Sequence, residues 1–315
     1  MNRILLCIAP VATVALSIAA IPVLAQDETP GITVPELGES FSSVQEAVDA
    51  IGDGEGIVLL APGTYRQCAV QTAGVVHFRS TQPGQAVFDG VECEGKAALV
   101  LRGAGASVDG IVFQNMRVAD RNGAGIRLEQ SDLSITNSYF RNSDQGILTA
   151  PDEAAEVVID RSTFSRLGRN DGGPSHSIYV GGYRSLTVTR SRFERGTGGH
   201  YIKTRAPLTN IRDNTFDDTL GNESNYMIDL SAGAIGTIAD NLFIQGENKQ
   251  NYSAFIAVSP EGQDNRSAGL VISGNTARLA PGVERTTVFV ADWSGERLAI
   301  GRNTLGPGLT PFERR

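Results

Sequence analysis

A phenylalanine returns through the middle of this chain at a spacing that few folds can accommodate. Phe113, Phe140, Phe164, Phe193, Phe216 and Phe243 each close a short polar run (IVF, NSYF, RSTF, RSRF, DNTF, DNLF), and Ala277 (GNTA) and Leu305 (RNTL) continue the series. The intervals are 27, 24, 29, 23, 27, 34 and 28 residues. Self-similarity at such a period marks a solenoid, whose repeats bury their apolar faces only against their neighbours. Equivalent positions of successive coils then stack, so residues distant in sequence can be placed side by side.

Between these positions run short β-rich segments, among them ALVLRG, AGIRLEQ, LSITNSYF, VVIDRSTF, LTVTRSRF and NIRDNTF, bounded by Gly, Asn, Asp or Ser. Two such runs fit each repeat. The connections are too short for helices, which excludes a βαβ sheet. Asn214, Asn241, Asn275 and Asn303 hold one place, two residues before the ladder position. They suit tight turns and would stack as an asparagine ladder. A β-sandwich is the competing fold, and the in-phase coil endings argue against it. Near the start, Ser42 can cap a helix whose Val44, Ala47, Val48 and Ile51 fall on one face. Such a helix would cover the open end of the stack.

IVLLAPGTYRQ after this helix, with the repeated coil endings, resembles right-handed parallel β-helices of the pectate-lyase type. The resemblance covers roughly residues 41–306. It implies an all-β, right-handed parallel β-helix of about ten coils with a short N-terminal capping helix. The chain divides into a signal peptide (1–25), a lead-in and capping helix (26–55), the β-helix (56–306) and a C-terminal tail (307–315). The lead-in, QDETPGITVPELGES, reads as a mobile segment.

The ends and the composition bound the setting. Residues 4–25 carry no charge, follow Arg3 and end in the small residues Val23 and Ala25. This reads as a secretory signal cut after Ala25, with an uncleaved anchor as the alternative. The remaining 290 residues carry a net charge of −9, which argues against general nucleic-acid binding. No second apolar run reaches membrane length. A periplasmic or secreted location is expected, with no membrane contact once the signal is removed. Cys68 and Cys93 lie about one repeat apart. They are a disulfide or two buried thiols, and spacing leaves both open.

The strands opening successive coils align on Ile126, Ile147, Ile178, Ile202, Ile228 and Ile256. If these point inward, alternation sends Arg127, Leu148, Tyr179, Lys203, Asp229 and Ala257 outward. A second outward column holds Glu129, Ala150, Gly181, Arg205, Ser231 and Ser259. His176, His200 and Tyr226 sit at the turn entering the strand, with Tyr201 beside them. Tyr179, Lys203 and Asp229 should form one line across three coils, next to Arg205. The glycines at 181, 182, 198 and 199 leave room for a ligand.

This grouping suits β-elimination on a uronate polysaccharide. The proton beside a carboxylate is acidic only if that carboxylate is neutralised, and the departing sugar oxygen needs a proton. Lys203 and Arg205 can clamp the carboxylate. Lys203 or His200 can serve as base and Tyr179 or Tyr226 as acid. The catalytic set is therefore His200, Lys203, Arg205 and Tyr179. His176, Tyr201, Tyr226, Asp229, Arg127 and Glu129 are the substrate-binding candidates. Lyases of the resembled type use Lys or Arg in such roles, and many bind calcium. Asp229 stands nearly alone as a carboxylate in the columns, so no metal is assigned and calcium stays open. SHSIYVG followed by HYIKTRA also resembles polygalacturonase elements. Asp144-Gln145 and Asp120-Arg121-Asn122 depart from the acidic set that hydrolysis needs. A non-catalytic module binding acidic glycan, or a structural envelope protein, would use the same groove. The expected partner in every active reading is an acidic polysaccharide. Oligomeric state is not legible.

Overall fold

The computed structural model describes residues 31–171, 173 and 175–315. The signal segment and the first residues of the lead-in lie outside the described residues. From Glu55 onward the chain winds as a parallel β-solenoid of three sheets of ten strands each, and two earlier strands extend the first sheet to twelve. Every inter-coil pairing is parallel. The one α-helix among the described residues, Val44–Ile51, buries Val44, Ala47 and Val48 against the first coils. Its N-cap is Ser43, whose Oγ accepts from the Glu46 N–H at 3.1 Å, one residue later than expected. Ser42 instead donates its backbone N–H and its hydroxyl to the Glu46 carboxylate, a capping-box-like contact shifted one residue before the cap.

The phenylalanine series is the inward column of the second sheet. Tyr65 and Phe88 precede it, and adjacent rings stack at centroid distances of 4.8–5.6 Å. Ala277 and Leu305 continue the register with aliphatic side chains in place of the ring. The asparagine ladder is present beside it. Asn214, Asn241 and Asn275 each donate from Nδ2 to the Oδ1 of the next asparagine, at 2.9–3.0 Å. Ser138, Ser162 and Ser191 extend the same column toward the N-terminus.

Three strands fill most coils, not the two expected. Runs such as LSITNSYF contain two strands, Leu133–Thr136 and Tyr139–Arg141. They are separated by a corner made by one left-handed residue, Asn137 at φ 51°. Arg161, Arg190, Asp213 and Asp240 hold the same conformation at the same corner of later coils. A bend needing one residue leaves no loop in the sequence.

The ends also differ from expectation. Ile32–Val34 and Glu39–Phe41 form an antiparallel hairpin against Glu55–Leu60, so this part of the lead-in is structured. Leu309–Arg314 pairs in parallel with Thr287–Asp292, so the solenoid extends past residue 306 into the expected tail. Cys68 and Cys93 are joined, with Cα atoms 5.5 Å apart, which settles the choice left open by spacing. Among the described residues no helix is long and apolar enough to cross a membrane.

Candidate functional site

The third sheet keeps the predicted register through the region of interest. Ile178, Ile202 and Ile228 pair in sequence and are fully buried. Tyr179, Lys203 and Asp229 follow them as one outward line across three coils. Arg205 lies beside Lys203 and donates from Nε to the Tyr179 hydroxyl at 3.1 Å. Lys203 Nζ stands 5.7 Å from the Tyr179 ring centroid, a cation–π distance. Tyr179 and Arg205 are half-buried, and Lys203 beside them is nearly buried.

The column entering the strand is outward too. His176 and His200 stack at 5.0 Å, and His200 and Tyr226 at 5.5 Å. His176 Nδ1 accepts the His200 backbone N–H at 3.0 Å, so this ring ties two coils together. Both imidazoles are nearly buried. Burial, with Lys203 nearby, depresses His176 to about 3. Burial, His176 and Lys203 hold His200 well below its ordinary value. Both are neutral near pH 7. His200 Nε2 lies 3.2 Å from Asp229 Oδ2, while its Nδ1 has no partner.

Two carboxylates meet the Lys203 ammonium. Asp229 Oδ2 is 3.6 Å away, only 1% of the residue is exposed, and burial raises its carboxyl to about 6. Glu261, on the turn after Ala254–Val258, reaches back to hydrogen-bond both Lys203 Nζ and Arg205 Nη2. Burial works against its charge, but these two cations hold its carboxyl below the usual range. The turn is anchored by Asn265, whose Nδ2 donates to the Arg205 and Gly233 carbonyls at 3.0 Å each. Glu261 was not among the sequence candidates. It lies two residues past the last aligned column, where strand register no longer fixes position.

Several candidates fall elsewhere. Tyr201 faces the core, 1% exposed, because alternation breaks at the corner: Tyr201 and Ile202 both point inward, as do Met227 and Ile228. Its hydroxyl donates to Asp218 at 2.6 Å and accepts the Gly196 N–H at 3.0 Å. It cannot contact substrate. Asp229 lies behind Lys203 and His200 and supports them without reaching a ligand. Arg127 shares the Tyr179 column two rungs away, with Leu148 between. Glu129 is engaged by Lys96 at 2.8 Å and Arg102 at 2.7 Å in a separate ion network. Neither joins the cluster. The glycines differ: a Cβ on Gly181 or Gly182 would meet nothing nearer than 3.3 Å, whereas a Cβ on Gly199, at φ +55°, would stand 1.9 Å from the Ser175 carbonyl. That glycine permits close coil contact beside the histidines. Asp144, considered for hydrolysis, is fully buried beneath Arg117 and Arg169.

The family comparison agrees with this architecture. Residues 90–295 match the family described as the right handed beta helix region. The chain belongs to that family. No curated protein matches it. Among solved structures, the tailspike protein of Acinetobacter baumannii bacteriophage Fri1, a capsular polysaccharide depolymerase, is 13% identical with a TM-score of 0.38. That match covers 84% of this chain and 53% of the tailspike. A mutant of the PL6-family alginate lyase AlyGC is also 13% identical, with a TM-score of 0.32, over 86% of this chain and 52% of the lyase. The chain thus spans about half the length of these two structures.

Proposed function

We propose that this protein is exported and cleaves a uronate-containing polysaccharide by β-elimination at the outer wall of the third sheet. The observation that carries the proposal is Glu261: a carboxylate already sits between Lys203 and Arg205, as a uronate carboxylate would. Lys203 Nζ is engaged by two carboxylates, so Lys203 belongs to the clamp and not to the base. His200 is stacked between His176 and Tyr226 with its Nε2 turned to Asp229, which removes it from proton transfer with a polymer. Tyr179 takes that role. Its phenolate, steadied by the Arg205 guanidinium, removes the proton on the carbon next to the clamped carboxylate. The electron pair forms the carbon–carbon double bond as the glycosidic oxygen departs. Tyr179 returns the proton to that oxygen and is restored. His176, His200 and Tyr226 brace the wall on which Tyr179 stands. The apolar signal sequence supports export, and the Cys68–Cys93 disulfide fits an oxidising compartment.

Hydrolysis has a pair of carboxylates here, Asp229 and Glu261, but Asp229 is too buried to reach a sugar bond. The test is incubation with polygalacturonate, alginate and glucuronan. Ultraviolet absorbance of unsaturated ends is followed together with reducing ends. Elimination raises both, and Tyr179→Phe abolishes the rise. Reducing ends without absorbance would point to hydrolysis, and retention without either to a binding module.

A further inference from the structure

The turns that lead from the second sheet into the third line up along the solenoid axis. Five of them enclose a cleft of about 360 Å³. Arg117 comes from the first, Asn142 from the second, Arg166 and Arg169 from the third, Thr197 from the fourth and Glu223 from the fifth. Rungs about 4.8 Å apart make this a span of about 19 Å. The cleft borders the wall described above without sharing its residues. Asn170, in the third turn, accepts the Gly199 N–H at 3.2 Å, directly before His200.

Its charges are unequally engaged. Buried Asp144 accepts the Val118 N–H at 3.0 Å, Arg169 Nη1 at 3.3 Å and Arg117 Nη1 at 3.4 Å. Arg169 is further held by Asp171 through Nε at 2.9 Å and through Nη2, and Arg121 lies 3.6 Å from the same carboxylate. Arg169 and Asp171 therefore largely answer each other. Arg117 is different: half of its side chain is exposed and its contact with Asp144 is long. Arg166 is exposed and, among the described residues, pairs with no carboxylate. Two guanidinium groups thus face a walled cleft with capacity to spare. The Asn142 amide and the Glu223 carboxylate around them can hold sugar hydroxyls, and the Thr197 hydroxyl, which donates to the Gly168 carbonyl at 2.7 Å, can still accept from one.

We infer that this cleft is a second subsite, for an anionic sugar unit whose carboxylate or sulfate is gripped by Arg117 and Arg166. Guanidinium forks match both anions, and the volume lies in the range of small-ligand pockets. The inference rests on the reading of the third-sheet wall as a polyuronate site, with the cleft holding a neighbouring stretch of the same chain.

Affinity electrophoresis tests it, in gels containing polygalacturonate, alginate, chondroitin sulfate or neutral dextran. Wild type is compared with Arg166→Gln, Arg117→Gln/Arg166→Gln and Lys203→Ala. Arg166→Gln breaks no ion pair among the described residues, so its effect is not one of folding. Wild type should be retarded by an acidic polymer and not by dextran. The double variant should need about tenfold more polymer for equal retardation, and Arg166→Gln alone severalfold more, as expected for lost charge-assisted bonds. The polymer that shows the effect separates carboxylate from sulfate. Unchanged retardation of both arginine variants, with loss in Lys203→Ala, overturns the cleft and leaves the wall standing. No retardation of wild type in any gel overturns both.

Discussion

On the proposed function, Glu261 occupies the position that a substrate carboxylate needs, so its removal should strengthen binding. In Glu261→Gln, Lys203 and Arg205 lose their internal counter-ion. The Glu261 and Arg205 side chains are 39% and 33% exposed, so the pairs are partly screened. The Arg205 pair contributes about 0.2–1 kcal/mol, and the pair with Lys203, whose side chain is only 10% exposed, at least as much, so together they stabilise the closed arrangement by at least about 0.4–2 kcal/mol. A polyuronate must displace them, so the variant should bind about 2- to 30-fold more tightly. Because Lys203 and Arg205 hold the Glu261 carboxyl below its usual range, it stays ionised at mildly acidic pH and the competition persists there. Titration calorimetry with oligogalacturonate at low ionic strength measures the difference, and it should shrink as salt is added. Weaker binding by Glu261→Gln would falsify the competition and make Glu261 a positioning residue for the two cations.

Other outcomes follow from the same contacts. Asp229 is raised from 3.8 to about 6 by burial, so its ionisation opposes folding. The stability linked to its protonated form is complete below about 4 and lost as pH rises through about 6. Asp229→Asn should therefore gain on wild type across that window, by up to about 3 kcal/mol in urea unfolding. Tyr201→Phe should cost about 1–3 kcal/mol by leaving the Gly196 N–H without a partner and removing one donor from Asp218, which keeps Ser224 and Lys249, while acidic-glycan affinity stays unchanged; a loss of affinity without loss of stability would restore Tyr201 to the site. Asn241→Ala removes a buried rung that bonds Asn214, Asn275 and the Ile211 carbonyl. It should destabilise by at least about 2 kcal/mol, seen as a lower denaturant midpoint. Reduction of Cys68–Cys93, which closes a separation of 25 residues, should lower stability by about 3 kcal/mol in the chain-entropy picture.

Strand register made much of this legible. Side chains of equivalent coil positions lie one rung apart, so aligning six isoleucines was enough to bring Tyr179, Lys203 and Arg205 together. The same logic failed wherever the backbone leaves regular alternation. At the corner before the third sheet two successive residues face inward, which carried Tyr201 from the wall to the core. The left-handed corner residues, needing no loop, hid one strand in each coil. Glu261 sits on a turn whose path depends on Asn265 reaching the Arg205 and Gly233 carbonyls, a contact with no periodic trace. The hydrophobic runs also carry no mark of depth on the outer wall. His176, His200 and Asp229 are outward by register yet covered by their neighbours, so they brace the site rather than touch its ligand.

A structure with a bound uronate tetrasaccharide puts the whole scheme at risk. A sugar carboxylate should lie between Lys203 Nζ and the Arg205 guanidinium, with Glu261 swung aside and the Tyr179 hydroxyl facing the carbon next to that carboxylate. An oligosaccharide on another wall, or one bound here with Glu261 still holding both cations, would contradict it.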